Sequence, residues 1–440
     1  MYTTLYKQIS FLCKVIFILL SEYLIYLWYR DYKSFIYHIT EKLSSINILY
    51  VKVFQAFAYN NTLIDDTINN ELIKYTDNAP WDYSDINLKM MVEMADKYNI
   101  YLPFQYEVPI NSGMIALVFK AIDKDNGKPV VIKMKRTNIQ EKLDKAIDNL
   151  LFIVYILSFI PIFNSYKLQD VIYKNIEIIK HQTSFLEEID NMNKMRENCK
   201  NLKYVIIPKA NRQITEEYPE MIVMNYIEGK KINQIPKKYY ETYAKLVVKF
   251  GMVTSTIHGF THGDLHSGNI LFIHDIRDNK YPHKLGIIDF GIMYNVNEQF
   301  KGILFDLLTQ MFENTPKVSA KKILNSGIIE PRNISNVLPK EDYDIILTIV
   351  EEMVKETIFE SKKANQIQIY RFISKLKEIF TKKKVKQIGI RLSDDFVKCQ
   401  LVLAMSQGVT LSLCNNDFIP LMDTVINELF NTSFLLNSDF

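Results

Sequence analysis

Three polar residues in the second half of the chain constrain its fold more than any other feature of the sequence. Asp264 and Asn269 lie in one short segment, His262-Gly-Asp-Leu-His-Ser-Gly-Asn269. Asp289 opens the tripeptide Asp-Phe-Gly, directly after the apolar run Leu285-Gly-Ile-Ile288. Carboxylate and amide oxygens are the ligands that Mg²⁺ prefers. The alternative is a polar turn between strands, in which Asp and Asn form Asx turns.

The order of these motifs is typical of the phosphoryl-transfer centre in kinase-like folds. There, the residue at the position of Asp264 orients or deprotonates the attacking hydroxyl. Those at the positions of Asn269 and Asp289 hold the magnesium ions that bridge the nucleotide phosphates. A lone Asp-Phe-Gly tripeptide is a weak signal, but the two motifs in this order, separated by a strand-like run, are specific.

An upstream lysine completes such a centre. Val130-Val-Ile-Lys133 is an apolar, β-branched run and predicts a strand. In a kinase-like fold Lys133 contacts the α- and β-phosphates of the nucleotide. An ordinary lysine on an edge strand is the alternative, and the order of the motifs along the chain favours the phosphate role.

The segment before this strand predicts a turn that approaches phosphates. Residues 109–119 are predicted to form a strand, a tight turn at Asn111, Ser112 and Gly113, and a second strand. Backbone N–H groups in such a turn can bind phosphate oxygens, and a glycine permits the close approach. With one glycine, this signal is weak by itself.

A carboxylate is expected to pair with Lys133. The segment Ser184–Met195 has helical periodicity, and one face of it is formed by Phe185, Ile189 and Met192. Glu187 and Glu188 are the two candidates on this helix. The alternative for either is an ordinary solvated carboxylate.

These motifs resemble those of the UbiB/aarF-domain (ADCK) family of atypical kinases. The family's loop reads His-x-Asp-x-His-Pro-Gly-Asn, and here Ser267 replaces the proline. The family's helix carries Glu-Ala-x-Asn, which is similar to Glu188-Ile-Asp-Asn191. The resemblance therefore implies that Glu188, and not Glu187, pairs with Lys133.

The resemblance includes an N-terminal extension and covers most of the chain. Lys52-Val-Phe-Gln55 resembles the family's Lys-x-Gly-Gln motif, with Phe54 where glycine is expected. It implies that Lys52 and Gln55 share a helix face over the mouth of the nucleotide cleft. We expect Lys52 within a few ångströms of Asp289 or of the loop around Asp264.

Two departures from the family concern the features that restrain protein-kinase behaviour. The family's phosphate loop is alanine-rich, whereas this one reads Asn111-Ser-Gly-Met114, and Phe54 replaces the glycine of the extension. The expected catalytic and metal-binding residues are nevertheless all present, which favours an active enzyme over a pseudokinase.

The resemblance implies an α+β, two-lobed protein-kinase-like fold with an N-terminal helical extension and helices inserted in the small lobe. We expect an apolar or amphipathic helical segment over residues 1–45 and the extension over residues 46–100. A small lobe with inserted helices follows over residues 101–228, and a mostly helical large lobe over residues 229–440. The apolar run over residues 150–163 is short for a membrane span and predicts a buried helix.

The N-terminal segment leaves three interpretations open. Residues 9–28 are about long enough to span a bilayer, but Lys14 and Glu22 lie within them and would be costly there. A helix packed on the kinase body and an amphipathic helix on a membrane surface are the other two. The basic run over residues 382–387 is a solvated patch or, alternatively, a contact with anionic lipid.

Composition narrows the class of protein and its compartment. A net charge of +3 gives no indication of a nucleic-acid partner. The four cysteines have no paired spacing, which indicates a reducing, intracellular compartment and argues against a structural zinc site. His258, His262 and His266 have the spacing of a metal-binding helix face, but the kinase-like interpretation places the last two on a loop.

The resemblance implies an ATP- and magnesium-dependent atypical kinase or ATPase connected with isoprenoid-quinone or lipid metabolism at membranes. The acceptor is open and includes lipids, small molecules and proteins. One alternative is a small-molecule phosphotransferase of the aminoglycoside- or choline-kinase type, which shares the Asp264 loop but lacks the Lys52/Gln55 segment. Another is a nucleotide-binding scaffold without turnover.

Overall fold

The computed structural model describes residues 2–47, 49–50, 79–159, 183–302 and 315–360, and short pieces between residues 375 and 428. The chain divides into two compact units. The first comprises Met1–Asp190 and Lys209–Tyr226, and the second comprises Asn191–Pro208 and Ile227–Phe440. Lys52, Gln55 and the basic run over residues 382–387 lie outside the described residues.

The described part of the chain contains both α-helices and β-strands. The α-helices are α1 (Tyr2–Tyr29), α2 (Tyr32–Ile46), α3 (Leu88–Lys97), α4 (Ile139–Ser158), α5 (Phe185–Asn198), α6 (Arg212–Glu217), α7 (Tyr240–Met252), α8 (Pro316–Asn325) and α9 (Lys340–Val354). The strands are β1 (Ile100–Tyr101), β2 (Asn111–Ser112), β3 (Ala116–Asp123), β4 (Pro129–Lys135), β5 (Val205–Ile206), β6 (Met221–Asn225), β7 (Phe260–His262), β8 (Ile270–His274), β9 (His283–Ile287), β10 (Met293–Asn295), β11 (Ile329–Glu330) and β12 (Arg391–Leu392).

The first unit contains a five-stranded antiparallel sheet in the order β1-β3-β4-β6, with β2 also paired to β3. Alternate residues on the three long strands are buried against α3, because successive side chains of a strand point to opposite faces. That face is formed by Leu117, Phe119, Ala121, Ile132, Met134, Met221 and Val223. Lys133 lies between Ile132 and Met134, so its side chain points to the other face of the sheet.

Helices α1 and α2 pack against each other and against α4 in the first unit. Phe11 and Val15 of α1 and Leu43 of α2 form the buried contact, with Ile153 of α4 beside them. Glu22 of α1 is also buried on this side and pairs with Lys42 at 2.5 Å. Within the described residues, Tyr6–Tyr29 is the one helix whose length and composition suffice to cross a membrane.

Two predictions about the small lobe need correction. The turn predicted at Asn111, Ser112 and Gly113 begins later, because Asn111 and Ser112 pair with β3 as strand β2. The Gly113 N–H then donates to the Ala116 carbonyl at 2.9 Å and closes the turn.

The apolar run over residues 150–163 was predicted to be a buried helix. Residues 150–158 are helical but only partly buried, and residues 160–163 lie outside the described residues. Val154 is buried, whereas Tyr155, Ile156 and Phe159 are exposed. The reason is that α4 contacts its neighbours along one side, so an all-apolar sequence leaves apolar side chains on the other.

The described part of the second unit contains three small sheets. Strands β5, β9 and β8 form one sheet, β7 pairs with β10, and β11 pairs with β12. Helix α7 packs on this region through a buried stripe that includes Tyr243, Val247 and Phe250. Helices α8 and α9 form a separate apolar cluster that also contains Phe300.

Candidate functional site

The first unit holds a buried ion pair at the predicted lysine. Lys133 Nζ lies 2.6 Å from Glu188 Oε1, and the two side chains are 12% and 2% exposed. Lys133 is held opposite Val118 of β3 and Ile222 of β6 by the sheet register. Helix α5 extends over the predicted segment and buries the predicted face, so Glu188 turns inward while Glu187 is exposed. The Lys133–Glu188 pair is therefore present, and its role toward a nucleotide stays a prediction.

The predicted phosphate turn is held by a residue that the sequence did not single out. Arg136 Nη2 donates to Ser112 Oγ at 2.9 Å and to the Gly113 carbonyl at 2.8 Å. The Ser112 hydroxyl in turn donates to the Ala79 carbonyl at 2.6 Å. Ser112 is buried and its hydroxyl is engaged within the protein, so this hydroxyl is a poor ligand for a phosphate. The binding role predicted for Asn111, Ser112 and Gly113 otherwise stays a prediction.

In the second unit, one hairpin positions the predicted metal ligands. Strand β8 begins directly after Asn269, and β9 ends two residues before Asp289, with Ile270 paired to Ile287. The Ile288 N–H donates to the Asn269 carbonyl at 3.2 Å, so the two strand ends stay together beyond the last pair. Asn269 Nδ2 donates to the Asp264 carbonyl at 2.9 Å. These contacts bring Asp264, Asn269 and Asp289 to one end of the hairpin.

His262 connects the two motifs through its two ring nitrogens. Its Nε2 lies 2.5 Å from the Asp289 carbonyl and donates to it, and its Nδ1 accepts the Asp264 N–H at 3.1 Å. Donation by one nitrogen and acceptance by the other require the neutral imidazole. Burial lowers the pKa of His262, although the carboxylates of Asp289 and Asp264 oppose the shift. The sequence motif contains His262, but nothing in the sequence indicates that this side chain connects the two motifs.

Two further residues stabilise the loop around Asp264. His266 caps the short 3₁₀ turn Ser267–Asn269, because its Nδ1 accepts the Gly268 N–H at 3.1 Å. Lys231 Nζ donates to the Gly268 carbonyl at 2.7 Å. Lys231 precedes the loop by more than thirty positions, and nothing in its local sequence identifies it.

The Asp-Phe-Gly tripeptide also forms the polar turn that was the alternative interpretation. Asp289 Oδ1 accepts the Gly291 N–H at 2.9 Å, which is an Asx turn. Asn191 Nδ2 donates to the Phe290 carbonyl at 3.1 Å and fixes the next residue. An Asx turn orients the carboxylate without neutralising it, so the two interpretations are compatible.

The donor chemistry at this end of the hairpin suits a hard cation. Asp289 offers a carboxylate, and Asn269 uses its amide nitrogen on Asp264, which leaves the amide oxygen for a cation. His258 does not join His262 and His266 in a cluster. Among the described residues, the structure brings no three His, Cys, Asp or Glu side chains together in an arrangement that would hold a metal ion.

Comparison with known proteins gives a family match over more than half of the chain. A family model described as the ABC1 atypical kinase-like domain matches residues 75–323. A probable protein kinase UbiB of Blochmanniella pennsylvanica is 26% identical over 340 residues, which is 75% of this chain and 60% of that protein. The Arabidopsis thaliana protein ACTIVITY OF BC1 COMPLEX KINASE 8, chloroplastic, is 25% identical over 304 residues, or 66% and 38% of the two chains.

The chain thus spans less than two thirds of the length of either relative. The solved structure of Rv3197 from Mycobacterium tuberculosis in complex with erythromycin has a TM-score of 0.50 and 16% identity, covering 87% of this chain and 92% of that one. At this identity the likeness concerns the fold. The predicted resemblance to UbiB-type kinases and the predicted kinase-like α+β fold are both confirmed.

Proposed function

Because the chain belongs to the ABC1 atypical kinase-like domain family, we propose that it is a magnesium-dependent, ATP-binding phosphotransferase or ATPase. One observation supports this most directly: Asp264, Asn269 and Asp289 are held at one end of the β8–β9 hairpin, with His262 bonded to the first and last. A kinase-like centre needs an acceptor-orienting carboxylate and two oxygen ligands for magnesium at these positions.

Each proposed role follows from the chemistry of the side chain. Lys133, oriented by Glu188, binds the α- and β-phosphates of ATP. Asp289 and Asn269 ligate Mg²⁺, which offsets phosphate charge when bound. Asp264 orients the acceptor hydroxyl or a water molecule and accepts its proton.

Nucleotide binding by a lysine variant tests this proposal against a matched control. Lys133→Met should weaken Mg–ATP binding by about tenfold to a hundredfold, because a charge-assisted hydrogen bond to phosphate is lost. Lys135→Met changes a lysine of the same strand that is equally exposed and pairs with Glu220 at 3.6 Å. This control should bind Mg–ATP like the wild type. Absence of Mg–ATP binding by the wild type, or equal binding by the Lys133 variant, contradicts the proposal.

The acceptor is proposed only as a class. Incubation of the protein with labelled ATP and separate pools of extracted lipids, small metabolites and proteins identifies which of them becomes phosphorylated. The family resemblance supports a lipid or isoprenoid-quinone context. Labelling of small metabolites alone supports the small-molecule phosphotransferase. ATP binding without hydrolysis or transfer supports the scaffold.

We further propose that α1 lies on a membrane surface. An exposed apolar stripe with helical spacing runs along α1 and includes Ile16, Leu20, Leu24 and Trp28. From Val15 to Tyr29 the helix has one charged residue, Glu22. That carboxylate is buried on the opposite side against α2, so the exposed stripe carries no charge over this stretch. Apolar surface of this extent favours the lipid interface over water.

Vesicle co-sedimentation tests the membrane contact. Leu20→Glu combined with Leu24→Glu should lower partition into phosphatidylcholine–phosphatidylglycerol vesicles by about tenfold or more, because two leucines are lost from the lipid contact. Ile276→Glu, which alters an exposed apolar residue in the second unit, should leave partition unchanged. Equal partition of all three proteins contradicts this proposal. We also propose that this membrane surface faces a reducing, intracellular compartment, as the unpaired spacing of the cysteines in the sequence predicts.

A further inference from the structure

Arg136 is a buried cation that none of the proposed catalytic and binding roles uses. It follows the last residue of β4 and lies three positions after Lys133. Its side chain is 4% exposed. The guanidinium has five N–H donors in a rigid planar fork, and Nε, Nη1 and Nη2 all donate to protein acceptors.

The Arg136 side chain binds the candidate phosphate turn at two residues. The Gly113 carbonyl accepts from Nε at 3.1 Å and from Nη2 at 2.8 Å. Ser112 Oγ accepts from Nη2 at 2.9 Å. The Arg136 backbone N–H also donates to the Ile115 carbonyl at 2.9 Å. Both the beginning and the end of the turn are therefore hydrogen-bonded to Arg136, directly after strand β4.

The same guanidinium binds a second segment, residues 79–85. Nη1 donates to the Pro80 carbonyl at 2.8 Å and to Asp85 Oδ2 at 2.6 Å. Asp85 is buried as well, and it receives a second cation because Lys142 Nζ lies 2.6 Å from Oδ1. The Thr137 N–H donates to the Asp85 carbonyl at 2.8 Å. Residues 79–85 follow directly after residues 51–78, which contain Lys52 and Gln55.

Burial of this ion pair is not explained by stability alone. Removing two charges from water is costly, and apolar residues of similar volume are often at least as stabilising. Apolar side chains lack the fixed, forked geometry of the guanidinium group. In Arg136 this geometry joins three backbone segments at one point. The directional bonds to Gly113 and Asp85 therefore indicate a positioning role.

We propose that Arg136 is a positioning residue of the candidate nucleotide site. It fixes the Gly113 turn against the strand that carries Lys133, and it makes the geometry of that turn depend on residues 79–85. This inference rests on the proposed nucleotide-binding function. Arg136 then determines the affinity of the site for the nucleotide without contacting the nucleotide itself.

Two single variants separate this role from a general contribution to folding. Arg136→Lys keeps the positive charge beside Asp85 but loses the fork to Gly113 and Ser112. It should raise the Kd for Mg–ATP by about tenfold and change kcat by less than about twofold. Lys142→Met is the matched control, since Lys142 contacts the same Asp85 but makes none of the bonds to the turn. It should leave the Kd unchanged.

Amide hydrogen exchange of the nucleotide-free protein gives a readout that does not depend on the proposed function. In Arg136→Lys, residues 110–116 should exchange about tenfold faster, whereas Lys142→Met should match the wild type. If exchange and Kd are both unchanged in Arg136→Lys, or if Lys142→Met reproduces its effects, the inference is overturned.

The same experiments also cover two further outcomes. If Arg136→Lys does not fold, Ser112→Ala replaces it, because this variant removes only the hydroxyl between Arg136 and the Ala79 carbonyl. Unchanged exchange and Kd in Ser112→Ala then overturn the inference. If the wild type binds no nucleotide, the proposed function fails by itself, and unchanged exchange in Arg136→Lys still refutes the positioning role.

Discussion

At the scale of single residues, the candidate site relies on polar side chains held by other polar groups. Glu188 is almost fully buried and pairs with Lys133. Buried ion pairs contribute little net stability, since desolvation offsets their attraction. The pair is better explained by its effect on Lys133, because Glu188 holds the lysine in position whether or not a ligand is bound. The Asp289 carboxylate is oriented by a backbone group, because its Oδ1 accepts the Gly291 N–H.

Asp289→Asn should weaken Mg–ATP binding selectively. Asparagine preserves the acceptor for the Gly291 N–H, so the turn stays intact while the charged metal ligand is lost. We expect a loss of about tenfold or more in affinity, and only when magnesium is present. Titration of ATP with and without magnesium measures this. Asp278→Asn, on the same hairpin but paired with Lys284 at 2.7 Å, serves as the control. An unchanged magnesium dependence in Asp289→Asn would refute the assignment.

Asp264→Asn should separate chemistry from binding. Its backbone groups, which bond to His262 and Asn269, are unaffected by the change. We expect ATP affinity close to that of the wild type and turnover lower by about 10²–10⁴-fold, because a positioned base is lost. Steady-state phosphate release and equilibrium ATP binding measure the two effects. Turnover that survives the substitution would show that Asp264 is not the catalytic residue.

At the scale of elements, β8 is placed by a neighbouring backbone segment as well as by β9. Lys230 and Phe272 exchange two backbone hydrogen bonds of 2.9 Å. Gly229, next to Lys230, lies so close to the strand that an added Cβ would meet Leu271 Cβ at 2.8 Å. Leu271 Cβ is attached to the strand backbone and cannot rotate away. The strand after Asn269 therefore depends on a glycine at position 229.

Gly229→Ala should destabilise the protein and disturb the metal ligands together. Overpacking of this kind typically costs about 1–3 kcal/mol, and displacement of β8 should also weaken Mg–ATP binding. Gly302→Ala is the control, since no atom of the described residues lies within 4 Å of the added Cβ there. Urea unfolding and ATP titration of both variants check the expectation. A Gly229→Ala protein with wild-type stability would mean that the strand adjusts without cost.

At the scale of the whole molecule, histidines make stability depend on pH. Burial lowers the pKa of His258, His262 and His283, with Lys301 adding to the shift at His258 and His274 at His283. In the unfolded chain a histidine titrates near pH ~6.5. The unfolded state therefore binds more protons than the folded state below that pH, and acid favours unfolding.

We expect the free energy of unfolding to fall as the pH is lowered from 7.5 through 6.5 to 5.5. Each such histidine contributes at most about 1.4 kcal/mol per pH unit, and only between its unfolded and folded pKa values. Urea unfolding at these three pH values measures the slope. His258→Phe should reduce the slope, because one titrating group is removed. Stability that rises toward pH 5.5 would contradict the three pKa directions.

The sequence by itself predicted the candidate site residues and determined the local elements that carry them. The apolar, β-branched run that ends at Lys133 predicted strand β4, and helical periodicity placed Phe185, Ile189 and Met192 on the buried face of α5. These inferences succeeded because residue propensity and the helical repeat are local properties. The family motif then selected Glu188 over its neighbour, and the ion pair at Lys133 agrees with that choice.

Only the tertiary structure decided how those elements are held. The bonds from Arg136 to Asp85 and from Asn191 to Phe290 join residues far apart in the chain, and no local pattern encodes such pairs. The burial of Ser112 and Glu22 could not be predicted from the sequence either. Polar residues are usually exposed, and each of these two depends on a partner from another element. Local periodicity determines on which face of a helix or strand a side chain lies, whereas tertiary packing determines which residues that face contacts.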